Sequence, residues 1–113
     1  MILIALVLVA AMPPGRWVHV GGRTNLYEEY VDRESIKRSG DRVTLWTRRD
    51  VALDKRTVWN ELEFDCRTRT ETILAYIQDD GRSVVHNAVR PHREAALIPP
   101  GSVEERIFNI ACR

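Results

Sequence analysis

The sequence has few cysteines and almost no net charge, and both features narrow the possible functions. Among its 113 residues only Cys66 and Cys112 are cysteines, and neither belongs to a C-x-x-C pair or to a His/Cys cluster at metal-ligand spacing. Seventeen basic and sixteen acidic residues are interspersed and give a net charge of +1. The chain therefore lacks the excess of positive charge that nucleic acids or anionic membranes attract. Its composition is that of one folded domain.

Recognisable catalytic and cofactor motifs are also missing. The sequence contains no G-x-S-x-G nucleophile motif, and its glycines form neither a P-loop nor a G-x-G-x-x-G motif. Its three histidines, His19, His86 and His92, would have to converge with carboxylates to form a metal or acid–base site. His19 and His86 lie in predicted strands and could meet across a sheet, but spacing does not place them together. We predict a non-catalytic protein with no metal and no other cofactor.

Residues 2–11, ILIALVLVAA, form a long apolar run. The run has the length of the apolar core of a secretory signal peptide and is too short to span a bilayer as a helix. Small residues at its end suit cleavage after Ala11, although no Lys or Arg precedes the run; a buried strand is the alternative. No cysteine follows that would carry a lipid anchor. We expect residues 1–11 to be a signal peptide, residues 16–113 to form the domain, and the protein to be exported.

The segment from Arg16 to Arg90 is predicted to be mostly β-structure. Period-two alternation and turn residues divide it into about six strands, and Asp54-Lys55 and Asp80-Gly81 favour antiparallel hairpins. The predicted strands are residues 17–20, 27–32, 42–53, 56–66, 69–79 and 83–90. Residues 32–38 are predicted to form one helical turn or a tight turn, which Asp32 or Ser35 would cap.

A short amphipathic helix is predicted at the C-terminus. Pro99-Pro100-Gly101 ends the preceding segment, and Ser102 with Glu105 matches a capping box. Such a short helix needs tertiary packing. It ends on Cys112, and the strand that ends on Cys66 aims this residue at the predicted core. A Cys66–Cys112 disulfide would pin the helix onto the sheet; two unpaired buried thiols are the alternative. We therefore predict a single α+β domain, with a curved antiparallel sheet of about six strands and the C-terminal helix packed on one face.

Four segments together resemble the surface-adhesin protein E family of exported bacterial proteins. They are YVDRESIKRSGDRVTLW (30–46), FDC (64–66), DDGRSVV (79–85) and IPPGSVEERIFNIAC (98–112). The resemblance implies an antiparallel sheet with a C-terminal helix that is tethered by a disulfide between Cys66 and Cys112. It also implies a location in the periplasm or at the cell surface. The family includes adhesins that bind host matrix and plasma proteins, and short members without an assigned role.

Strand parity predicts an aromatic surface on the face of the sheet opposite the helix. Trp46, Trp59 and Tyr76 have the parity opposite that of the core positions, and Arg48 and Arg56 would flank them. Such a surface suits an unknown protein partner or a homodimer, whereas a second small core closed by loops is the alternative. The preferred function is an exported, protein-binding or self-associating envelope module. The alternative function is a small periplasmic ligand-binding or inhibitor-like domain that holds an apolar ligand against the sheet.

Overall fold

The computed structural model describes residues 16–80, 84–87 and 94–113, with the backbone alone for residues 84–87. The expected signal peptide, residues 1–11, lies outside the described residues. The elements in chain order are β1 (Trp17–Arg23), β2 (Tyr27–Ser39), β3 (Arg42–Val51), β4 (Arg56–Asp65), β5 (Thr70–Asp79), β6 (Val84–Asn87), β7 (Ala96–Leu97) and α1 (Val103–Ala111).

The strands form one antiparallel sheet. β1 to β6 lie side by side in chain order, and the short β7 pairs with β5 at Thr70 and Glu71. Each strand from β1 to β5 pairs with the strand that follows it, because short connections between consecutive strands favour antiparallel pairing. The predicted α+β class, with a curled antiparallel sheet and one C-terminal helix, is confirmed.

The core lies between the sheet and α1. Ile107, Phe108 and Ala111 of the helix are buried against a cluster from the strands and from the segment before the helix: Val31, Val43, Leu45, Leu62, Phe64 and Ile98. The rings of Phe64 and Phe108 meet edge to face with centroids 5.8 Å apart. We call this side of the sheet the helix face and the other side the open face.

The predicted start and tether of α1 are both confirmed. The Ser102 hydroxyl accepts a hydrogen bond from the Glu105 amide at 3.1 Å, as an N-cap should. The Glu105 carboxylate accepts from the amide of Gly101 at 2.9 Å, one residue before the amide that a capping box uses. Cys66 and Cys112 form a disulfide that joins the end of β4 to the end of the helix.

Residues 32–38 remain in a strand, so the predicted helical or tight turn is wrong. Asp32 pairs with Trp46 and Lys37 pairs with Thr44, which leaves four residues of β2 opposite one residue of β3. Side chains hold this wide bulge together. The Asp32 carboxylate accepts from the Glu34 amide at 3.0 Å, and the Ser35 hydroxyl accepts from the Trp46 amide at 2.9 Å. The side chains of Asp32 and Ser35 therefore form their hydrogen bonds within the paired strands β2 and β3 and do not cap a turn.

The prediction that β1 ends before Gly21 is also wrong, because the strand continues to Arg23. A β-carbon on Gly21 would lie 2.7 Å from the Arg106 guanidinium and 3.2 Å from the Val103 side chain. The Arg106 guanidinium donates to the Val20 carbonyl oxygen at 3.2 Å. The glycine therefore permits the close approach of the helix to the edge strand.

A second irregularity changes which residues of β5 face which side. Glu61 pairs with Ala75 and Leu62 pairs with Ile73, so Leu74 is an extra residue in β5. Because side chains alternate along a strand, one extra residue reverses the faces of all positions that follow it.

Candidate functional site

Aromatic side chains surround one arginine on the open face. In the register, Tyr30, Arg48 and Trp59 are consecutive cross-strand neighbours on β2, β3 and β4. Trp46 precedes Arg48 by two positions on β3, and Trp17 pairs with Asp32, the partner of Trp46. We call these five residues, Trp17, Tyr30, Trp46, Arg48 and Trp59, the Arg48 patch.

Arg48 occupies the centre of this patch. Its guanidinium carbon lies 4.3 Å from the ring centroid of Tyr30 and 5.3 Å from that of Trp17, within the range of cation–π attraction. Arg48 Nε also lies 3.2 Å from Asp50 Oδ1. All five members of the patch are half-buried. The aromatic rings and the Arg48 guanidinium thus stabilise one another in a fixed arrangement. The patch remains accessible from the open face.

Two residues predicted for this surface lie on the helix face instead. Tyr76 pairs with Asn60, whereas Ile77 pairs with Trp59, because Leu74 shifts the parity of β5. Arg56 pairs with Val51, which shares the parity of buried Leu45. The predicted group of five is therefore divided: Trp46, Arg48 and Trp59 lie on the open face.

Trp17 and Tyr30 belong to the patch but were not predicted to do so. Tyr30 alternates with buried Glu29 and Val31, so strand parity alone places it on the open face. Trp17 joins the patch only through the pairing of β1 with β2, which local patterns do not reveal.

The histidines do not converge in the described parts of the chain. His19 Nε2 lies 2.5 Å from Glu28 Oε1, and its ring meets that of Tyr30 edge to face at 5.3 Å. His86 lies in β6, separated from β1 by four strands, and His92 lies outside the described residues. No group of three or more His, Cys, Asp or Glu residues in the described segments is arranged to hold a metal ion.

A pocket of about 530 Å³ lies on the helix face beside α1. We call it the helix-face pocket. Aliphatic side chains form much of its wall: Val51, Val58, Leu62, Ile73 and Ile107. Leu26 and the highly exposed Leu53 also line the pocket. Asn60 on β4, which pairs with Tyr76, lines it as well.

A buried ion pair lies at the polar end of this pocket. Glu29 is only 3% exposed, and its Oε1 lies 2.6 Å from Arg49 Nε. Arg49 Nη2 lies 3.8 Å from Glu104 Oε2 on the helix, and the guanidinium stacks 4.1 Å from the Tyr27 ring centroid. Burial raises the pKa of Glu29, although the charge of Arg49 opposes this shift.

Glu71 lies on the same pocket wall, where the charge of Arg49 only partly offsets the effect of burial on its pKa. None of the described residues forms a hydrogen bond or salt bridge with its carboxyl group. Burial, followed by the negative charges of Glu104 and Glu29, raises the pKa of Glu71 to about 7. This carboxyl group is therefore half-ionised near neutral pH.

Thr47 adds an unsatisfied polar group to the pocket wall. The side chain is fully buried, and its hydroxyl has no partner at normal hydrogen-bonding distance and angle within the described structure. The hydroxyl is still near enough to Glu29 to lower the pKa of that carboxyl group. A buried hydroxyl without a full hydrogen bond is unusual in a folded protein.

These pocket residues were not predicted from the sequence, although one signal was present. Glu29, Arg49 and Glu71 are charged residues at strand positions that share the parity of core residues. Charges at such positions are rare unless they are paired or functional. Glu104 lies in the first turn of α1, where negative charge is favourable, so its charge alone does not indicate a place at the pocket.

Comparison with known proteins places this fold in a family. The model of the family described as surface-adhesin protein E matches residues 17–113. No curated protein matches the chain. No helix in the described segments has the length and hydropathy that would allow it to cross a bilayer.

Proposed function

Because the chain belongs to the surface-adhesin protein E family, we propose that it is a non-catalytic binding module of the bacterial cell envelope that engages a protein partner through the Arg48 patch. Family membership indicates an exported or cell-surface protein with some protein or host partner. We also propose that the Arg48 patch is the binding surface and that residues 1–11 are a signal peptide. The protein would then lie in the periplasm or at the cell surface.

The arrangement of the Arg48 patch is the observation that carries the proposal. Trp, Tyr and Arg are the residue types that most often dominate the energy of protein interfaces. Here all three types lie together, and two rings fix the position of the arginine. Within residues 16–80, 84–87 and 94–113, α1 packs on the helix face and no element packs across the patch. A partner that covers the patch would bury aromatic area without rearranging it.

Substitution of the two patch tryptophans tests the proposal. Trp46→Ala and Trp59→Ala should each weaken binding about tenfold or more, because loss of an aromatic anchor at an interface costs roughly 2 kcal/mol. Binding is measured by surface plasmon resonance against immobilised host matrix and plasma proteins, and self-association is measured by sedimentation velocity.

Leu97→Ala serves as the matched control, because Leu97 is 78% exposed and lies on β7, outside the patch. Circular dichroism and thermal melts establish that each variant is folded. Loss of binding in both tryptophan variants but not in Leu97→Ala supports the patch. The proposal is wrong if both tryptophan variants fold and every interaction of the unaltered protein remains intact.

A further inference from the structure

We infer that the helix-face pocket binds a small organic cation with an apolar body, such as an alkylammonium or arylammonium compound. This inference goes beyond the protein-binding function and concerns the other face of the sheet. A cavity of about 530 Å³ with apolar walls and a few convergent polar groups has the size and composition of small-molecule sites.

The balance of charge around the pocket selects a cation. Three carboxyl groups line it, from Glu29 on β2, Glu71 on β5 and Glu104 on α1. Arg49 is near two of them, since its guanidinium lies 2.6 Å from Glu29 and 3.8 Å from Glu104. One arginine therefore faces three acidic groups, and an added positive charge lowers their mutual repulsion.

The second arginine on the pocket wall does not reverse this balance. Arg56 Nε lies 3.5 Å from Asp54 Oδ2, so a carboxylate of the turn between β3 and β4 offsets its charge. An anionic ligand would have to approach all three glutamates against their repulsion. The charges around the pocket thus favour a cation over an anion.

Two polar groups have unused bonding capacity that an ammonium group can meet. The Glu71 carboxyl group has no hydrogen-bond or salt-bridge partner among the described residues. The fully buried Thr47 hydroxyl also lacks a partner with normal geometry there. An ammonium group donates several N–H bonds and carries the missing countercharge, whereas a neutral hydroxyl supplies only one donor.

The apolar walls define the rest of the ligand. Val58, Leu62, Ile73 and Ile107 offer an aliphatic surface next to the acidic groups, and Leu53 is 89% exposed at the rim. A methylene chain or an aromatic ring on the ammonium group would bury this surface. A bare metal ion would leave the apolar walls exposed to water, so an amphipathic organic cation fits the pocket better.

Calorimetric titration with three matched probes tests the inference. The disulfide-bonded protein is titrated with n-octylammonium, 1-octanol and octanoate, which share one chain and differ in head-group charge. We expect n-octylammonium to bind about tenfold more tightly than 1-octanol, because one close charge pair contributes of that order, and octanoate to bind most weakly. The inference is overturned if n-octylammonium does not bind, or if either other probe binds as tightly.

Two variants separate Glu71 from a general surface effect. Glu71→Gln keeps the shape of the side chain and removes its charge, so it should weaken n-octylammonium binding about tenfold and leave 1-octanol unaffected. Glu63→Gln is the matched control, because Glu63 lies on the neighbouring strand β4 and pairs with Arg42 at 3.1 Å, outside the pocket. Equal affinity in the two variants would refute the role of Glu71.

The pH dependence gives an independent readout. Because the ammonium group requires ionised Glu71, its affinity should rise about tenfold from pH 6 to pH 8 in the unaltered protein and less in Glu71→Gln. Glu104, Glu29 and Arg49 are the other charged groups that act on Glu71, and Arg56 also lines the pocket. Trp46→Ala should bind the probe normally, so failure of the Arg48 patch and failure of the pocket are distinguishable.

Discussion

At the scale of single residues, Glu71 links the pocket to the pH dependence of folding. Its pKa is raised from 4.5 to about 7 by burial and by the charges of Glu104 and Glu29. Between these two pH values Glu71 is protonated to a greater extent in the folded protein than in the unfolded chain. The contribution of Glu71 to the free energy of unfolding is therefore complete below about pH 4.5 and is lost as the pH rises to about 7.

Glu71→Gln should remove this loss. At pH 8 the variant should be more stable than the unaltered protein by roughly 1–2 kcal/mol after allowance for solvent screening, whereas at pH 4.5 the two should be similar. Urea unfolding at a series of pH values measures the difference. Glu63→Gln should show no such gain at pH 8. Parallel stability curves for Glu71→Gln and the unaltered protein would contradict the raised pKa.

Individual residues differ in how well the sequence predicts their place. Ser102 is predictable as an N-cap because the capping-box motif spans only four residues. The hydrogen bond that its hydroxyl accepts from the Glu105 amide confirms the prediction. The Glu29–Arg49 pair joins residues 20 positions apart, so its existence depends on strand pairing. The sequence shows charged residues at strand positions that have the parity of core residues. It does not show which residues they contact in the folded pocket.

At the scale of elements, strand irregularities decide the composition of each face. β3 and β4 pair without a register shift, so alternation along each strand puts Leu45 and Leu62 on the core side. β5 contains one extra residue relative to β4, and the prediction for Tyr76 was wrong for that reason. A bulge is a relation between two strands, which the pattern of one strand cannot show.

The attachment of α1 provides a prediction at this scale. The Cys66–Cys112 disulfide closes a sequence separation of 46 residues, and chain entropy gives it a stabilising effect of about 4 kcal/mol. The double variant Cys66→Ala/Cys112→Ala should therefore lose about that much free energy of unfolding, measured by urea titration with far-UV circular dichroism. The unaltered protein treated with a reducing agent is the control and should behave similarly. A loss below about 1 kcal/mol would contradict the role assigned to the tether.

At the scale of the whole molecule, the proposed export has a direct chemical signature. Protein recovered from the envelope fraction of its native host should lack about the first eleven residues, because signal peptidases cleave after small residues. It should also be lighter by two hydrogens than its reduced form, because an oxidising compartment maintains the Cys66–Cys112 bond. Intact-mass spectrometry with and without reduction measures both changes. A full-length, reduced protein found only in the cytosol would contradict export.

The whole fold was more predictable than either surface. The antiparallel order of the sheet and the C-terminal helix depend on local signals, and the structure confirms both. The Arg48 patch draws on β1 to β4, and the pocket draws on β2 to β5 and α1. Each surface combines side chains from at least four elements, so it exists only after pairing and packing are settled.

The position of the disulfide also determines the covalent topology of the chain. It joins Cys66 to Cys112, so β5, β6, β7 and α1 lie within one closed covalent loop, whereas β1 to β4 precede it. One peptide bond cut anywhere in that loop leaves both fragments attached to each other through sulfur. After a single proteolytic cut between Cys66 and Cys112, the protein would thus still retain its C-terminal helix.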